Sequence, residues 1–459
     1  MQKKFFLVLL LVVCIALSGC ALVVKDPVRD AQQVIIDIEG ETVDKQTMTK
    51  LVDDEYNYMY SLYSMYGLDP SRYLNRDTIQ DEVINRKVEE IVLKKQFAKN
   101  GLTLTAEDET EIAAHAKEEF DQMIESIKTN FLSDSKNEGD ALTEEAIEYA
   151  KNLDPTYTLE EYTNHARQEK MVELLRSDAI KDVTVSDEEI NNEYQTRLTD
   201  AKSRYEADLS AYGTDVNNNT TVYYNPAGYR YVKQILIGLD DETKSAITTA
   251  NNAVTTAQTA LDNANKALSD NQTAQEAEGV TEEEKAELVA KQAELKTEAD
   301  KAQADLDEKK AAADKALADA FAALQPKLDE VSQKITEGVD FDQLITDYNT
   351  DPGMQREPGK TKGYAICANM TGFDEKFVNA GMALEKIGDI SEPVRSDNFG
   401  YFIIRYQSDI QEGDVQLDDV RETIKEELLS QKQDTTYDEA VKKWIDAAGV
   451  KKYIERLAN

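Results

Sequence analysis

Apolar residues recur every three or four positions through the segment 47–201, which is the spacing of an amphipathic helix. The pattern is continuous from Val83 to Val92, and Asn100-Gly101 is a typical helix end. Three further helix starts carry Ser or Thr three positions before an acid, at Thr105/Asp108, Thr158/Glu161 and Ser186/Glu189. A β-branched run, Val34–Ile38, precedes them. We therefore predict one short strand and a helical domain over 34–201.

Further strand-like patterns appear later in the chain. Residues 229–237 and 388–406 are rich in aromatic and β-branched side chains, with a turn at Asp397-Asn398. The segment 202–228 before them, which contains Asn217-Asn218-Asn219 and Asn225-Pro226-Ala227-Gly228, reads as a loop or linker. We predict a second domain over 229–410, followed by two helices within 415–459 that complete the first domain. The overall fold class is thus α+β.

Between the first strand and the rest of the second domain lies an alanine-rich insertion, residues 243–308. Apolar residues alternate four and three apart on both sides of a break near Gly279. This pattern predicts an antiparallel coiled-coil hairpin, with a disordered tract as the alternative. The seam positions are Ala246, Ala250, Ala253, Ala257, Ala260, Ala264 and Ala267, then Leu288, Leu295, Ala299, Ala302 and Leu306.

Charge narrows the range of partners. The chain of 459 residues has 90 acidic and 52 basic residues, a net charge of −38. So strong a negative charge disfavours binding to nucleic acid and to anionic lipid surfaces. The two histidines have no cysteine nearby, and no phosphate-binding glycine loop is present. We therefore predict no metal, no cofactor and no nucleic-acid partner.

The amino terminus has the features of an export signal. Lys3 and Lys4 precede an apolar run, Phe5 to Leu17, that is too short for a good membrane span. The following Leu17-Ser18-Gly19-Cys20 resembles the bacterial lipobox, which implies removal of residues 1–19 and acylation of Cys20. An ordinary signal peptide is the alternative. Residues 20–33 then form a tether, and Cys367 remains as a single thiol that excludes an internal disulfide.

Two segments of the second domain resemble the parvulin family of peptidyl-prolyl isomerases. One is Gly388-Asp-Ile-Ser-Glu-Pro-Val394 with Phe399-Gly-Tyr-Phe-Ile-Ile404, and the other is Gly338-Val-Asp-Phe341 with its continuation to Asn349. The strand at 229–237 is similar to the first parvulin strand. The resemblance implies a small α/β domain that catalyses rotation about X-Pro bonds, here interrupted by the hairpin.

The amino-terminal domain resembles the SurA and PrsA-type export chaperones. The features are a strand that ends in Gly40 before Thr42-Val43, a helix that contains Val83-Ile84-Asn85, and the segment Lys99 to Thr105. An unrelated helical domain is the alternative. In these chaperones, carboxyl-terminal helices return to the amino-terminal domain.

The parvulin resemblance also implies a site. Gln234 and Phe402 stand where the family has two histidines, and Asp351 fits the family's Cys or Asp position. Met370 with Phe377 or Phe373 matches the wall that holds the proline ring. Ordinary core packing is the alternative for these four apolar residues, and a hydrogen bond from Gln234 to Asp351 would hold the domain together. Isomerase activity is therefore an open question.

These features predict a lipid-anchored foldase on the extracytoplasmic face of a cell membrane. Its clients would be unfolded or partly folded exported polypeptides. One alternative is a holdase chaperone without catalysis. The other is a scaffold lipoprotein whose hairpin, 243–308, docks a cell-envelope partner.

Overall fold

The computed structural model describes residues 26–457. The predicted signal peptide, 1–19, and Cys20 lie outside these residues. The chain is mainly helical with small antiparallel sheets, which confirms the predicted α+β class. It divides into two compact units, one containing the described residues up to Val185 together with those from Glu426 onward, and one running from Ser186 to Lys425.

The first unit surrounds a small sheet with helices. Its elements are α1 Pro27–Ala31, β1 Val34–Ile38, β2 Glu41–Asp44, α2 Lys45–Met65, α3 Arg76–Lys99, α4 Ala106–Phe131, α5 Gly139–Leu153, α6 Leu159–Ile180 and β9 Lys451–Lys452. Strand β1 pairs antiparallel with β2 and with β9, so that the end of the chain joins the sheet of its beginning. Buried Ile35, Ile36 and Ile38 pack with Met48 and Val83 in one core cluster.

The second unit is organised around a four-stranded antiparallel sheet. The strands of the whole unit are β3 Tyr224–Asn225, β4 Arg230–Gly238, β5 Tyr364–Ile366, β6 Val394–Ser396, β7 Gly400–Asp409 and β8 Gly413–Asp414. The helices are α7 Asp187–Ala207, α8 Leu209–Asn217, α9 Asp241–Gln275, α10 Glu282–Thr336, α11 Phe341–Tyr348, α12 Gly359–Lys362 and α13 Glu375–Ala383. The sheet has the order β5-β4-β7-β6, and a short pair, β3 and β8, lies apart from it.

The insertion is a pair of helices, α9 and α10, that lie side by side. Ala257, Leu261 and Leu306 are buried between them, and Gln275 donates to Gln292 near the tip at 3.1 Å. The alanine seam predicted for the first arm is partly wrong, because Ala246 and Ala260 are exposed. The larger side chains Val254 and Leu261 pack in the contact instead, because they bury more apolar area than alanine does.

Several predicted boundaries need correction. The segment 202–228 is not a loose linker, because it holds the end of α7, all of α8 and strand β3. Helix α7 belongs with the second unit, where the Tyr194 hydroxyl donates to the Val415 carbonyl at 2.7 Å. The tether contains α1, whose first turn is capped by Asp26.

The carboxyl-terminal helices are also different from the prediction. Residues 417–447 form one helix, α14 Leu417–Ala447, rather than two. No glycine or proline interrupts this stretch, so nothing in its backbone chemistry ends the helix early. No helix among residues 26–457 is long and apolar enough to cross a membrane.

Candidate functional site

The two faces of the four-stranded sheet are built from alternating residues of β4 and β7. Ile235 and Ile403 are opposite each other and pack against α10 and α11; we call this side the α11 face. Leu236 and Phe402 are opposite each other on the other side. We call that side the aromatic face, because its residues contact a row of aromatic rings.

The row contains five rings in sequence. Phe399 lies 6.0 Å from Phe402, Phe402 lies 5.4 Å from Phe377, and Phe377 lies 5.6 Å from Phe373, all between ring centroids. Phe373 is then 5.0 Å from Tyr364. Phe377 and Phe402 are buried, whereas Phe399 is 43% exposed, so the row leads from solvent into the domain.

Local hydrogen bonds fix the position of Phe377. Asp374 caps the start of α13, and its Oδ1 accepts from the backbone N–H groups of Lys376 and Phe377. Its other oxygen accepts from the buried Ser396 hydroxyl at 2.6 Å. This cap ties α13 to strand β6 and directs the first turn of the helix, with Phe377, toward the sheet.

A polar cluster lies beside the aromatic row. Gln234 Nε2 donates to Asp351 Oδ2 at 2.7 Å, and the Tyr364 hydroxyl donates to the same oxygen at 2.8 Å. The other Asp351 oxygen accepts from the Gly353 N–H at 2.9 Å. Burial, and then the Asp351 carboxylate, raise the pKa of Tyr364 above its usual value, so that this hydroxyl stays protonated as a donor.

Asn349 holds the Asp351 segment against the sheet. Its Oδ1 accepts from the Leu236 N–H at 2.8 Å, and its Nδ2 donates to the Asp351 carbonyl at 2.7 Å. Gly353 completes the arrangement, because the Tyr364 hydroxyl occupies the space where a Cβ atom at this position would lie. Only glycine lets the tyrosine reach Asp351 without a shift.

Gln234 itself is only partly satisfied. The residue is 5% exposed, and its Oε1 has no hydrogen-bond donor among the described residues. The orientation of the amide is set by Asp351, because a carboxylate accepts from the NH₂ group and repels the carbonyl oxygen. One buried acceptor therefore remains unpaired beside the rings.

The structure brings five of the six predicted site residues together. Gln234 contacts Asp351 as the sequence suggested, and both Phe373 and Phe377 join Phe402 in the ring row. The methyl end of Met370 lies against Gly213 of α8. The predicted place of Met370 in the wall that holds the proline ring stays a prediction.

Three contributors were not identified from the sequence as site residues: Tyr364, Asn349 and Phe399. A signal existed for Tyr364, since it follows the glycines of a segment that in the resembling family ends in an aromatic residue. Nothing in the spacing pointed to Asn349, whose contacts span 113 positions of sequence.

The arrangement offers no reactive group. Cys367 is buried, and burial raises the pKa of its thiol by more than the hydrogen bond with Tyr229 lowers it. Among residues 26–457, no cluster of three or more potential ligands is placed to hold a metal ion. What the site provides is an apolar aromatic wall beside a buried amide and carboxylate.

Proteins named Foldase protein PrsA are similar to this chain in sequence. One from Clostridium botulinum (strain 657 / Type Ba4) is 31% identical over 128 residues, which cover 28% of this chain and 37% of that protein. One from Oceanobacillus iheyensis is 35% identical over 132 residues, 28% of this chain and 42% of that protein.

These matches confirm the predicted resemblance to PrsA-type foldases. The chain spans only 37% to 42% of the length of these two relatives. No family model matches the chain.

Two solved structures were also matched. A foldase protein PrsA from Streptococcus pneumoniae is 14% identical with a TM-score of 0.26, covering 93% of this chain and 97% of that one. The PrsA peptidylprolyl isomerase from Bacillus cereus is 15% identical with a TM-score of 0.18, covering 93% and 96%. Scores this low carry no argument about the present fold.

Proposed function

We propose that this protein is a lipid-anchored foldase that binds unfolded exported polypeptides outside the cytoplasmic membrane. The sequence relatives named Foldase protein PrsA support this class. The anchor on Cys20 is supported by the lipobox-like sequence alone. The membrane and the unfolded clients are therefore its proposed partners, and no cofactor is involved.

We further propose that the aromatic face binds proline-containing segments of these clients and acts as a parvulin-type site without histidines. The observation that carries this proposal is the position of the Gln234–Asp351 pair next to the ring row. X-Pro rotation has a barrier of about 18–20 kcal/mol and requires no nucleophile or metal. A desolvated aromatic wall that holds the proline ring can lower this barrier by disfavouring the polar planar amide.

The polar cluster has two roles in this proposal. Asp351 keeps Gln234 and Tyr364 in place, because the side chains of both residues donate a hydrogen bond to its carboxylate. Gln234 Oε1, which is buried in the free protein, then accepts from a backbone N–H of the bound segment once the side chains around it move aside. The site would bind proline peptides firmly and accelerate isomerisation weakly, because it lacks the imidazoles that the resembling family has.

The test is prolyl isomerisation, and binding, of a short proline peptide by the full chain. Phe402→Ala removes a ring from the aromatic face and should reduce affinity about tenfold, together with any acceleration. Ile403→Ala is the matched control, because it deletes an equally buried side chain of the same strand on the α11 face. Equal loss in both variants would show that only folding was affected and would contradict the proposal.

A holdase without catalysis is the second candidate, and the missing histidines favour it. It predicts binding that depends on Phe402 and suppression of aggregation of an unfolded protein, with no change in isomerisation rate.

A scaffold at the hairpin is the third candidate. It predicts that removal of 243–308 abolishes association with an envelope partner, whereas a foldase keeps its clients without the hairpin.

A further inference from the structure

The second half of helix α2 is an uncharged stretch in a highly charged protein. Charged residues make up 31% of the chain, yet none occurs from Tyr56 to Leu68. All residues of that stretch are Tyr, Met or Leu, apart from Asn57, Ser61, Ser64 and Gly67. We call residues 56–68 the tyrosine surface.

Most of this stretch lies outside the core, and its first residue, Tyr56, packs half-buried against the edge of the cluster around Ile35 and Val83. Helix α2 buries Lys45, Met48 and Val52 in its first half, and no residue between Asp53 and Asp69 is buried. The most exposed members are Tyr58 at 63%, Met65 at 72% and Tyr66 at 70%. An apolar helix end with no buried side chain is unusual for a soluble protein and typical of a binding surface.

Charged groups border the stretch, but they are paired with one another. Asp54 contacts Lys50 at 2.6 Å, Glu55 contacts Arg86 at 2.5 Å, and Asp69 contacts Arg72 at 3.4 Å. Asp53 is likewise paired with Arg76, which also lies over the Tyr56 ring. The border therefore adds little net charge of either sign to the tyrosine surface.

Part of the surface is already ordered. Tyr63 stacks on Tyr73 with ring centroids 5.5 Å apart, and Tyr56 lies 6.4 Å from Tyr60. Tyrosines give a large contact area at low entropic cost, while methionines adapt to varied shapes. This combination suits partners of many sequences rather than one fixed partner.

We propose that the tyrosine surface binds apolar, non-acidic segments of unfolded polypeptides. Charge selects this occupant, because the net charge of −38 opposes association with a second copy and with anionic lipid. Aromatic and thioether side chains pair with apolar side chains and with lysine or arginine. The inference rests on the proposed foldase function and adds a client surface in the first unit.

The test uses three fluorescein-labelled peptides of Leu, Phe, Ser and Asn: one neutral, one with added Lys and one with added Glu. Fluorescence anisotropy measures their affinity for the full chain. The variant Tyr58→Gln/Met65→Gln/Tyr66→Gln retains good helix formers and should lose about tenfold in affinity for the neutral and Lys peptides. The Glu peptide should bind the unaltered protein more weakly than the other two.

A matched control carries Val28→Gln, Phe131→Gln and Leu153→Gln. These residues lie on other helices of the same unit and are 63%, 60% and 57% exposed. The control should bind all three peptides as the unaltered protein does. Circular dichroism should give the same helix content for both variants and the unaltered protein.

Several results would overturn the inference. Unchanged affinity in the three-site variant, or equal loss in the control, would exclude the tyrosine surface as the binding site. Loss of binding to neutral phosphatidylcholine vesicles without loss of peptide binding would assign the surface to lipid. A change in sedimentation without a change in peptide binding would assign it to a second copy.

Failure of the proposed function looks different. In that case, the unaltered protein binds none of the peptides and does not suppress aggregation.

Discussion

The two faces of the four-stranded sheet use alternating residues of the same strands, but they treat polar groups differently. On the α11 face, the buried Lys233 ammonium lies 3.0 Å from both oxygens of Asp342, and Arg405 also contacts that carboxylate. On the aromatic face, the amide nitrogen of the next residue, Gln234, donates to Asp351, but its amide oxygen has no partner among the described residues.

This difference separates a structural face from a candidate binding face. The α11 face pairs its buried ammonium with a carboxylate within a cluster of aliphatic and aromatic side chains, as expected for a core that only needs to be stable. The aromatic face keeps an unsatisfied acceptor, Gln234 Oε1, which costs stability, and a partly exposed ring, Phe399, which a ligand could cover. Such features are retained where a ligand completes the contacts.

The largest effect should come from breaking the ion pair on the α11 face. Asp342→Ala leaves the Lys233 ammonium, 4% exposed, without its main partner and should destabilise the second unit by about 3 kcal/mol. Faster hydrogen exchange of the β4 and β7 amides would report this loss. Adding Lys233→Met should restore most of the protection, since an apolar side chain of similar length needs no partner.

If the double variant exchanges as fast as Asp342→Ala, the α11 face depends on the charges themselves. The distinction between a packed face and a polar face would then fail.

The next effect should come from Gly353→Ala on the aromatic face. The added methyl group takes the position of the Tyr364 hydroxyl and should cost about 2 kcal/mol through displacement of that ring. Hydrogen exchange of the β4 and β7 amides measures the loss of stability, and proline-peptide affinity measures the effect on the site. An unchanged affinity would mean that the position of Tyr364 does not matter to the site.

A smaller effect is expected for Tyr364→Phe, and it should depend on pH. Loss of the hydroxyl removes one hydrogen bond to Asp351, about 1 kcal/mol at neutral pH. Because the folded state raises the pKa of Tyr364, its stabilising contribution is complete below the ordinary value of 10.0 and is lost as the pH rises above it.

The phenylalanine ring introduced by this change cannot ionise. Amide protection of β5 should therefore fall less steeply between about pH 9 and about pH 11 in the variant than in the unaltered protein. The same steepness in both proteins would contradict the assigned environment of Tyr364.

The smallest effect on stability should come from Gln234→Leu. The change removes a donor to Asp351 but also removes the unpaired acceptor, so that stability should change by about 1 kcal/mol or less. Affinity for a proline peptide should fall if Gln234 Oε1 accepts from the bound chain. A large destabilisation with normal affinity would instead make Gln234 a purely structural residue.

Much of the fold was predictable because local chemistry fixed it. The capping pairs Thr105/Asp108 and Ser186/Glu189 both form complete capping boxes at the predicted helix starts. Strand β1, helix α3 with its end at Asn100, and the helical hairpin also follow local patterns. Such signals act within a few residues and need no tertiary context.

The remaining features depend on contacts between distant residues. The true seam of the hairpin follows the larger side chains Val254 and Leu261, and alanine periodicity alone cannot distinguish neighbouring registers. Met370 lies against Gly213 of α8, more than 150 positions away in the sequence, a contact that no local pattern indicated. The predicted linker hid α8 because its polar composition resembles a loop.

The most direct test of the central claim is a methyl NMR titration of the full chain with a proline-containing peptide. Leu236 and Ile404 report on the aromatic face, while their chain neighbours Ile235 and Ile403 report on the α11 face. We predict chemical-shift changes for the first pair and little change for the second. Equal changes on both faces, or changes confined to the α11 face, would contradict the assignment of the aromatic face as the binding site.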